Sequence, residues 1–302
     1  MPARHWLAAA RLRTLPLAAA SVWCGGLLAK TAGHFNSTVL VLSTATAAAL
    51  QIFSNFANDY GDARHGADSP LRQGPERMVA AGRISLRTMR YALAASALLC
   101  CLLGITLLAV ALPAIQAARP QAWLLWLLLG AAAVIAAFTY TAGRKPYGYS
   151  GGGDASVLLF FGWLGVLGSE YLHTGRLNLG SLLPATALGL WCAMVLNLNN
   201  MRDIRSDTAA GKYTIAARLG LPRAKYYHAA LLAAASLMWW LWLPQTATAA
   251  PIRAGLQVFL LLLALSHLFL LNKAQSWQAL DQLLPQWSLS ILGWVCVLWM
   301  AV

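Results

Sequence analysis

Apolar runs of about twenty residues recur along this chain, divided by short polar stretches, and they leave few folds open to it. Roughly nine such runs fall at 14–34, 38–58, 88–112, 121–141, 155–173, 181–201, 226–244, 253–272 and 286–302. Of the 302 residues, 59% are hydrophobic and only 10% charged, whereas a soluble domain carries charge on about a quarter of its residues. In hydrocarbon a backbone must satisfy its own hydrogen bonds, which runs of this length do as helices. The expected architecture is therefore an all-α integral membrane protein, with about nine transmembrane helices in a single bundle and residues 1–302 forming one domain. Arg4, Arg11 and Arg13 before the first run outline a signal peptide, but the many spans that follow make it an uncleaved first helix. Gly162, Gly165 and Gly168 in the fifth run favour close helix packing. The five cysteines lie inside apolar runs without C-x-x-C spacing and read as small core residues. The thirteen tryptophans fit aromatic belts, and Trp239 and Trp240 are expected to face lipid.

A formal net charge of +13 would suit a nucleic-acid partner, yet the basic residues are scattered through the loops, with no basic domain or tail. Membrane topology explains them better. With the amino terminus in the cytoplasm, 18 of the 22 Lys and Arg residues fall on the cytoplasmic side, leaving Lys30, Arg119, Arg176 and Arg253 outside. The two longest cytoplasmic connections, about 59–86 and 202–225, are then candidates for function, because long loops in compact proteins usually carry it.

Each of those connections opens on a cluster of acids and amides. In the first, Asn55, Asn58, Asp59 and Asp62 follow the i, i+3, i+4, i+7 spacing of one helix face, and Asp68 follows. In the second, Asn199, Asp203 and Asp207 are four apart, with Asn200 beside them. Five of the nine acidic residues are thus spent in two short stretches. Packed carboxylates repel unless a cation joins them, and an all-oxygen set suits Mg²⁺, which binds a few carboxylates together with substrate phosphate. Ion-coupled transport is the other reading of membrane carboxylates, but these gather at one membrane face beside basic loops instead of at the midplane.

Arg72, Arg77 and Arg83 in the first connection offer planar forks for phosphate or carboxylate oxygens. A third polar patch follows the fourth run: Tyr140, then Arg144 and Lys145, then a glycine run ending at Asp154. Arg144, Lys145 and, in the second connection, Lys212 are suited to neutralise a departing diphosphate, while Arg218 reads as an interfacial anchor. The glycine run lacks the Gly-Lys-Ser/Thr ending of a nucleotide loop, and neither a Ser-His-Asp set nor a histidine metal pair is present.

Asn58-Asp59-x-x-Asp62 with Asp68, and Asp203-x-x-x-Asp207 after Asn199-Asn200, resemble the two Asp-rich motifs of the UbiA superfamily of intramembrane aromatic prenyltransferases. Ala-Asn-Asp-Tyr-Gly-Asp, Arg-x-Gly-Pro, Asn-Asn-x-Arg-Asp and Gly-Lys-x-Thr are similar to its 1,4-dihydroxy-2-naphthoate polyprenyltransferase branch, from about Arg11 to Gly220. Two positions depart from the pattern. Asp68 stands six residues after Asp62 where the general motif has four, and Asp154 stands where the branch has Glu. The resemblance implies that Mg²⁺, held by Asp59, Asp62, Asp68, Asp203 and Asp207, binds the diphosphate of a polyprenyl donor. It implies that Arg144, Lys145 and Lys212 assist, that Asn58 orients a metal ligand, and that the ring of Tyr140 faces the allylic cation. Asn55, Arg72, Arg77, Asp154, Asn199 and Asn200 complete the expected substrate-binding set. The acceptor implied is 1,4-dihydroxy-2-naphthoate, which loses carbon dioxide to give demethylmenaquinol in menaquinone synthesis; 4-hydroxybenzoate is the rival acceptor. The setting implied is the bacterial inner membrane, with the site toward the cytoplasm.

Overall fold

The computed structural model describes residues 2–66, 72–116 and 120–302, and they are helical nearly throughout. Nine long helices are present among the described residues: α1 (Leu15–Thr31), α2 (Ser37–His65), α3 (Leu86–Ala111), α4 (Ala122–Thr139), α5 (Gly153–Thr174), α6 (Leu182–Arg202), α7 (Ile215–Trp242), α8 (Ala250–Lys273) and α9 (Trp277–Ala301). Among the described residues, eight segments are long and apolar enough to cross a membrane; α7 is not among them, its apolar run being diluted by Tyr226, Tyr227, His228 and its tryptophans. Local chemistry sets several starts. Asn36, Ser85, Thr214 and Ser276 each accept backbone N–H groups in the first turn of α2, α3, α7 and α9, satisfying donors that a helix leaves open.

The bundle is built around α6, which packs against α1, α5, α7 and α9. Gly162 of α5 and Gly189 of α6 face each other so closely that a Cβ on Gly162 would lie 2.7 Å from the Ala185 carbonyl oxygen. That is the close packing expected of the fifth run, and the middle of α5, Leu158–Gly168, is wound as wider π-helical turns. Beside it Trp191, Trp239, Trp287 and Trp294 are fully buried, with ring centroids 5.5–6.1 Å apart around Trp191 and Trp294. Trp239 is therefore core and does not face lipid, because α9 and α6 close over that side of α7; Trp240, on the opposite side, is exposed as expected. By contrast α3, α4 and α8 show rows of exposed leucines, a surface that only an apolar solvent tolerates at this extent. No cysteine is disulfide-bonded, and Cys24, Cys100 and Cys192 are buried as small core residues.

Three boundaries differ from those read in the sequence, and all three matter at one end of the bundle. The helix α2 runs on to His65 instead of stopping near 58, because the polar residues continue its face until Gly66 turns left-handed at φ 70°. The helix α7 starts at Ile215, eleven residues early, and breaks at Gly220 ahead of Pro222. The helix α9 starts at Trp277 and carries Pro285 inside it, which brings Asp281 into the structured part of the chain.

Candidate functional site

The first acidic run occupies the last turns of α2, as its spacing predicts. Asn55 is buried and donates to the carbonyl of Ala10 (2.8 Å) and to Thr14 Oγ1 (3.1 Å), tying α2 to the segment that leads into α1. Asn58 Oδ1 accepts from Thr141 Oγ1 at 3.0 Å. Between the two aspartates, a Cβ on Gly61 would stand 2.5 Å from the Thr141 carbonyl oxygen. Only glycine lets the Tyr140–Ala142 turn lie directly on α2, and that contact sets Tyr140 beside the acids. Asp59 accepts the backbone N–H groups of Met78 and Val79, both at 3.2 Å, which fastens the returning connection under the helix. Asp62 accepts from Arg77 Nη2 (3.2 Å) and from the Tyr149 hydroxyl (2.9 Å). Asp68 lies outside the described residues.

The second run does not form the continuous helix face that its four-residue spacing implies. The chain leaves helical geometry at Asp203 (φ −97°, ψ 10°), so Asp207 sits on a separate short helix, Ile204–Ala209. Arg202, fully enclosed, bridges the pieces. It donates from Nε and Nη2 to the two oxygens of Asp203 (2.9 and 2.5 Å), from Nη2 to Asn199 Oδ1 (2.8 Å), and from Nη1 to Asp281 of α9 (2.5 Å). Arg72 reaches Asp203 at 3.5 Å, and Arg13 pairs with Asp281 at 3.1 Å. Lys212 lies 3.4 Å from Asp207 and 5.6 Å above the ring of Tyr149, whose carbonyl accepts the Tyr213 N–H at 2.8 Å. Tyr149 therefore joins Asp62 of the first run to the Lys212 segment of the second.

Charges converge here under low exposure. Burial alone would lower the Lys212 ammonium, but Asp62, Asp207 and Asp203 outweigh it and hold the amine charged. Burial also pushes Asp203 up, yet Arg202, Arg72 and Lys212 bring it below its ordinary value. Asp207 is raised to about 6, first by burial and then by Asp203 and Asp62, with Lys212 offsetting part of the rise. The Tyr140 phenol is pushed upward by burial, then by Asp154, Asp62 and Asp207 around it. Among the described residues, the buried oxygens Asp207 Oδ2 and Asn200 Oδ1 of this site accept no hydrogen bond.

Those two oxygens and the carboxylates of Asp62, Asp203 and Asp207 are a donor set of the kind a hard divalent cation takes. As the side chains stand, no three acids among the described residues converge on one point; each is drawn to a cation or to backbone N–H instead. Beside Asp203 a cavity of about 230 Å³ is lined by Arg11, Arg13, Arg72, Arg77 and Asn199. Arg144 and Lys145 are exposed and, among the described residues, pair with no carboxylate. Arg83 faces away, against Glu76 at 3.8 Å. Asp154 is buried and accepts from the Tyr227 hydroxyl at 3.1 Å. Sequence reading passed over Tyr149, Arg11, Arg13 and Asp281. The last had a signal, being the only acid after residue 207 and lying on the same side of the membrane as both runs.

The UbiA prenyltransferase family model matches residues 18–289. The chain is 49% identical to the 1,4-dihydroxy-2-naphthoate octaprenyltransferase of Escherichia coli (strain K12) over 75% of its own length and 72% of that protein. It is 44% identical to the enzyme of the same name from Haemophilus influenzae, over 78% and 75% of the two chains. Among solved structures it is similar to the apo structure of a UbiA homolog from Aeropyrum pernix K1, with TM-score 0.68 and 20% identity over 96% of this chain and 99% of that one. It is also similar to a UbiA homolog from Archaeoglobus fulgidus bound to GPP and Mg²⁺, with TM-score 0.57 and 17% identity over 96% and 99%. An all-helical bundle, two acidic runs meeting at one end of it, and matches that cover most of the sequence agree: the chain belongs to the UbiA prenyltransferase family.

Proposed function

We propose that this protein transfers a polyprenyl group from a polyprenyl diphosphate to 1,4-dihydroxy-2-naphthoate, releasing diphosphate and carbon dioxide to give demethylmenaquinol. The observation that carries the reading is that both acidic runs reach Lys212 at one end of an apolar bundle, Asp207 directly and Asp62 through Tyr149, while Arg202 and Arg72 hold Asp203. The naphthoate acceptor is supported by the names of the relatives at 49% and 44% identity. Residues 1–302 work as one transmembrane domain, set in the bacterial inner membrane with the acidic end toward the cytoplasm, the side to which the positive-inside rule assigns 18 of the 22 basic residues.

Mg²⁺ is the cofactor, and when bound it neutralises the leaving diphosphate. Asp62, Asp203 and Asp207 would hold it, with Asn200 beside them and Asp68 from the first connection. Asp59 sets the position of Arg77 by anchoring Met78 and Val79. Arg72, Arg77 and Lys212, now paired with these acids, turn to phosphate oxygens, and Arg144 and Lys145 add positive charge at the rim. The Tyr140 ring faces the allylic cation that forms as the carbon–oxygen bond opens. The prenyl tail needs apolar shelter, which explains why diphosphate chemistry sits at the end of a membrane bundle.

Product analysis tests this. The purified protein, given a long polyprenyl diphosphate, Mg²⁺ and either 1,4-dihydroxy-2-naphthoate or 4-hydroxybenzoate, is expected to yield a prenylated, decarboxylated naphthoquinol that a chelator abolishes. A prenylated benzoate retaining its carboxylate, with no naphthoquinol, would overturn the acceptor; no product from folded protein would overturn the activity.

A further inference from the structure

Of the acids near this site, Asp154 is treated differently from the rest. Asp62, Asp203 and Asp207 each pair with Arg or Lys, and Asp59 is held by two backbone N–H groups. Each of those carboxylates is thus already held by a cation or by backbone N–H donors. Asp154, 8% exposed in the first turn of α5, pairs with no cation among the described residues; its side-chain partner is the neutral Tyr227 hydroxyl of α7. Arg218, on the neighbouring turn, is engaged elsewhere, donating to the carbonyls of Tyr213 (3.1 Å) and Ser150 (2.9 Å).

Its placement is equally specific. A Cβ on the adjacent Gly153 would lie 3.0 Å from the Tyr140 hydroxyl and 3.0 Å from Leu196 of α6, so the start of α5 is pressed against Tyr140. The Tyr140–Ala142 turn also rests on Gly61 of α2, next to Asp62, so this turn touches both the helix that carries Asp62 and the helix end that carries Asp154. Tyr140 thus neighbours both an acid assigned to the diphosphate and an acid that pairs with no cation among the described residues. With the allylic carbon at the Tyr140 ring, Asp154 is a proton acceptor at hand for the ring that attacks it. A buried, unpaired carboxylate steadied by one hydroxyl is suited to take a proton and return it.

Resting on the prenyl-transfer reading above, we infer that Asp154 is the general base for the acceptor, positioned by Tyr227. It takes the proton of the hydroxyl next to the carboxylate-bearing ring carbon. The oxygen's electron pair enters the ring, the ring carbon bonds to the allylic carbon, and the carbon–oxygen bond to diphosphate breaks with its electrons on the leaving group. The product of that step is a β-keto acid. Loss of carbon dioxide sends the electron pair back to the same oxygen, which recovers its proton from Asp154, so no net proton, oxidant or reductant is needed.

The test compares wild type with Asp154→Asn, Asp154→Glu and Tyr227→Phe in the full-length protein, assayed anaerobically with Mg²⁺, a polyprenyl diphosphate and 1,4-dihydroxy-2-naphthoate. Asp154→Asn still accepts from Tyr227, and it is expected to lower kcat for transfer by about 100-fold or more while binding of the polyprenyl diphosphate changes less than about twofold. Its deficit should shrink roughly tenfold per pH unit above neutrality, since an acceptor that ionises by itself needs no base. Asp154→Glu should restore part of the rate, and Tyr227→Phe should lose far less than Asp154→Asn. The titratable groups beside Asp154 are Tyr227 and Tyr140, with Arg218 the charged group at the start of α7; the slope is therefore read as the difference between variant and wild type. Near-normal transfer by Asp154→Asn, a deficit that ignores pH, or equal loss of transfer and diphosphate binding would overturn the inference. If wild type forms no naphthoquinol, the proposed reaction fails, and the two failures are distinguishable.

Discussion

Individual side chains at this site gather much charge under low exposure. Asp207 has a proton affinity raised to about 6 because it is buried beside Asp203 and Asp62. A protonated carboxylate is a poor ligand for a hard cation, so a falling pH makes Mg²⁺ compete with a proton there. Mg²⁺ affinity, measured without diphosphate, is expected to be flat above neutrality and to fall toward tenfold per pH unit below about 6. In Asp207→Asn that slope should disappear. A slope unchanged in the variant would assign the proton to another group.

Among helices and connections, close backbone approach decides what can meet. Gly61 lets the Tyr140–Ala142 turn rest on α2, and Gly61→Ala would drive a methyl group to 2.5 Å from the Thr141 carbonyl. Overpacking of that kind costs about 1–3 kcal/mol, and the turn has to lift, carrying Tyr140 with it. Thermal unfolding in detergent should show the loss of stability. Transfer should fall further than stability alone explains, because Tyr140 moves away from the acids; a variant with wild-type kcat would show that Tyr140 has no part in the reaction.

The helices were written in the sequence as lengths and the first acidic run as a spacing, and both can be read without a structure because they are local. The ends were less legible. Asn55, Asn58, Asp59 and Asp62 continue an apolar helix with polar residues, so hydropathy stops where the helix does not. The four-residue spacing of Asn199, Asp203 and Asp207 implied one face, but Arg202 binding Asp203 and Asp281 together favours a break at Asp203 that spacing cannot reveal. Tyr149 was invisible for another reason, its partner being 87 residues away in sequence, and Asp281 showed only as a lone late acid, 79 residues from Arg202. Trp239 was misplaced because burial inside a membrane bundle and exposure to lipid call for the same side chains.

At the scale of the whole molecule, the central claim is that two distant stretches hold one ligand. Binding of a polyprenyl diphosphate, with Mg²⁺ and with a chelator, to wild type, Asp62→Asn, Asp207→Asn and the double variant tests it most directly. Tight binding is expected only with Mg²⁺, with a loss of about tenfold or more in each single variant and a double variant that loses much less than the product of the two, because coupled residues are not additive. Losses that multiply, or binding indifferent to Mg²⁺, would contradict it.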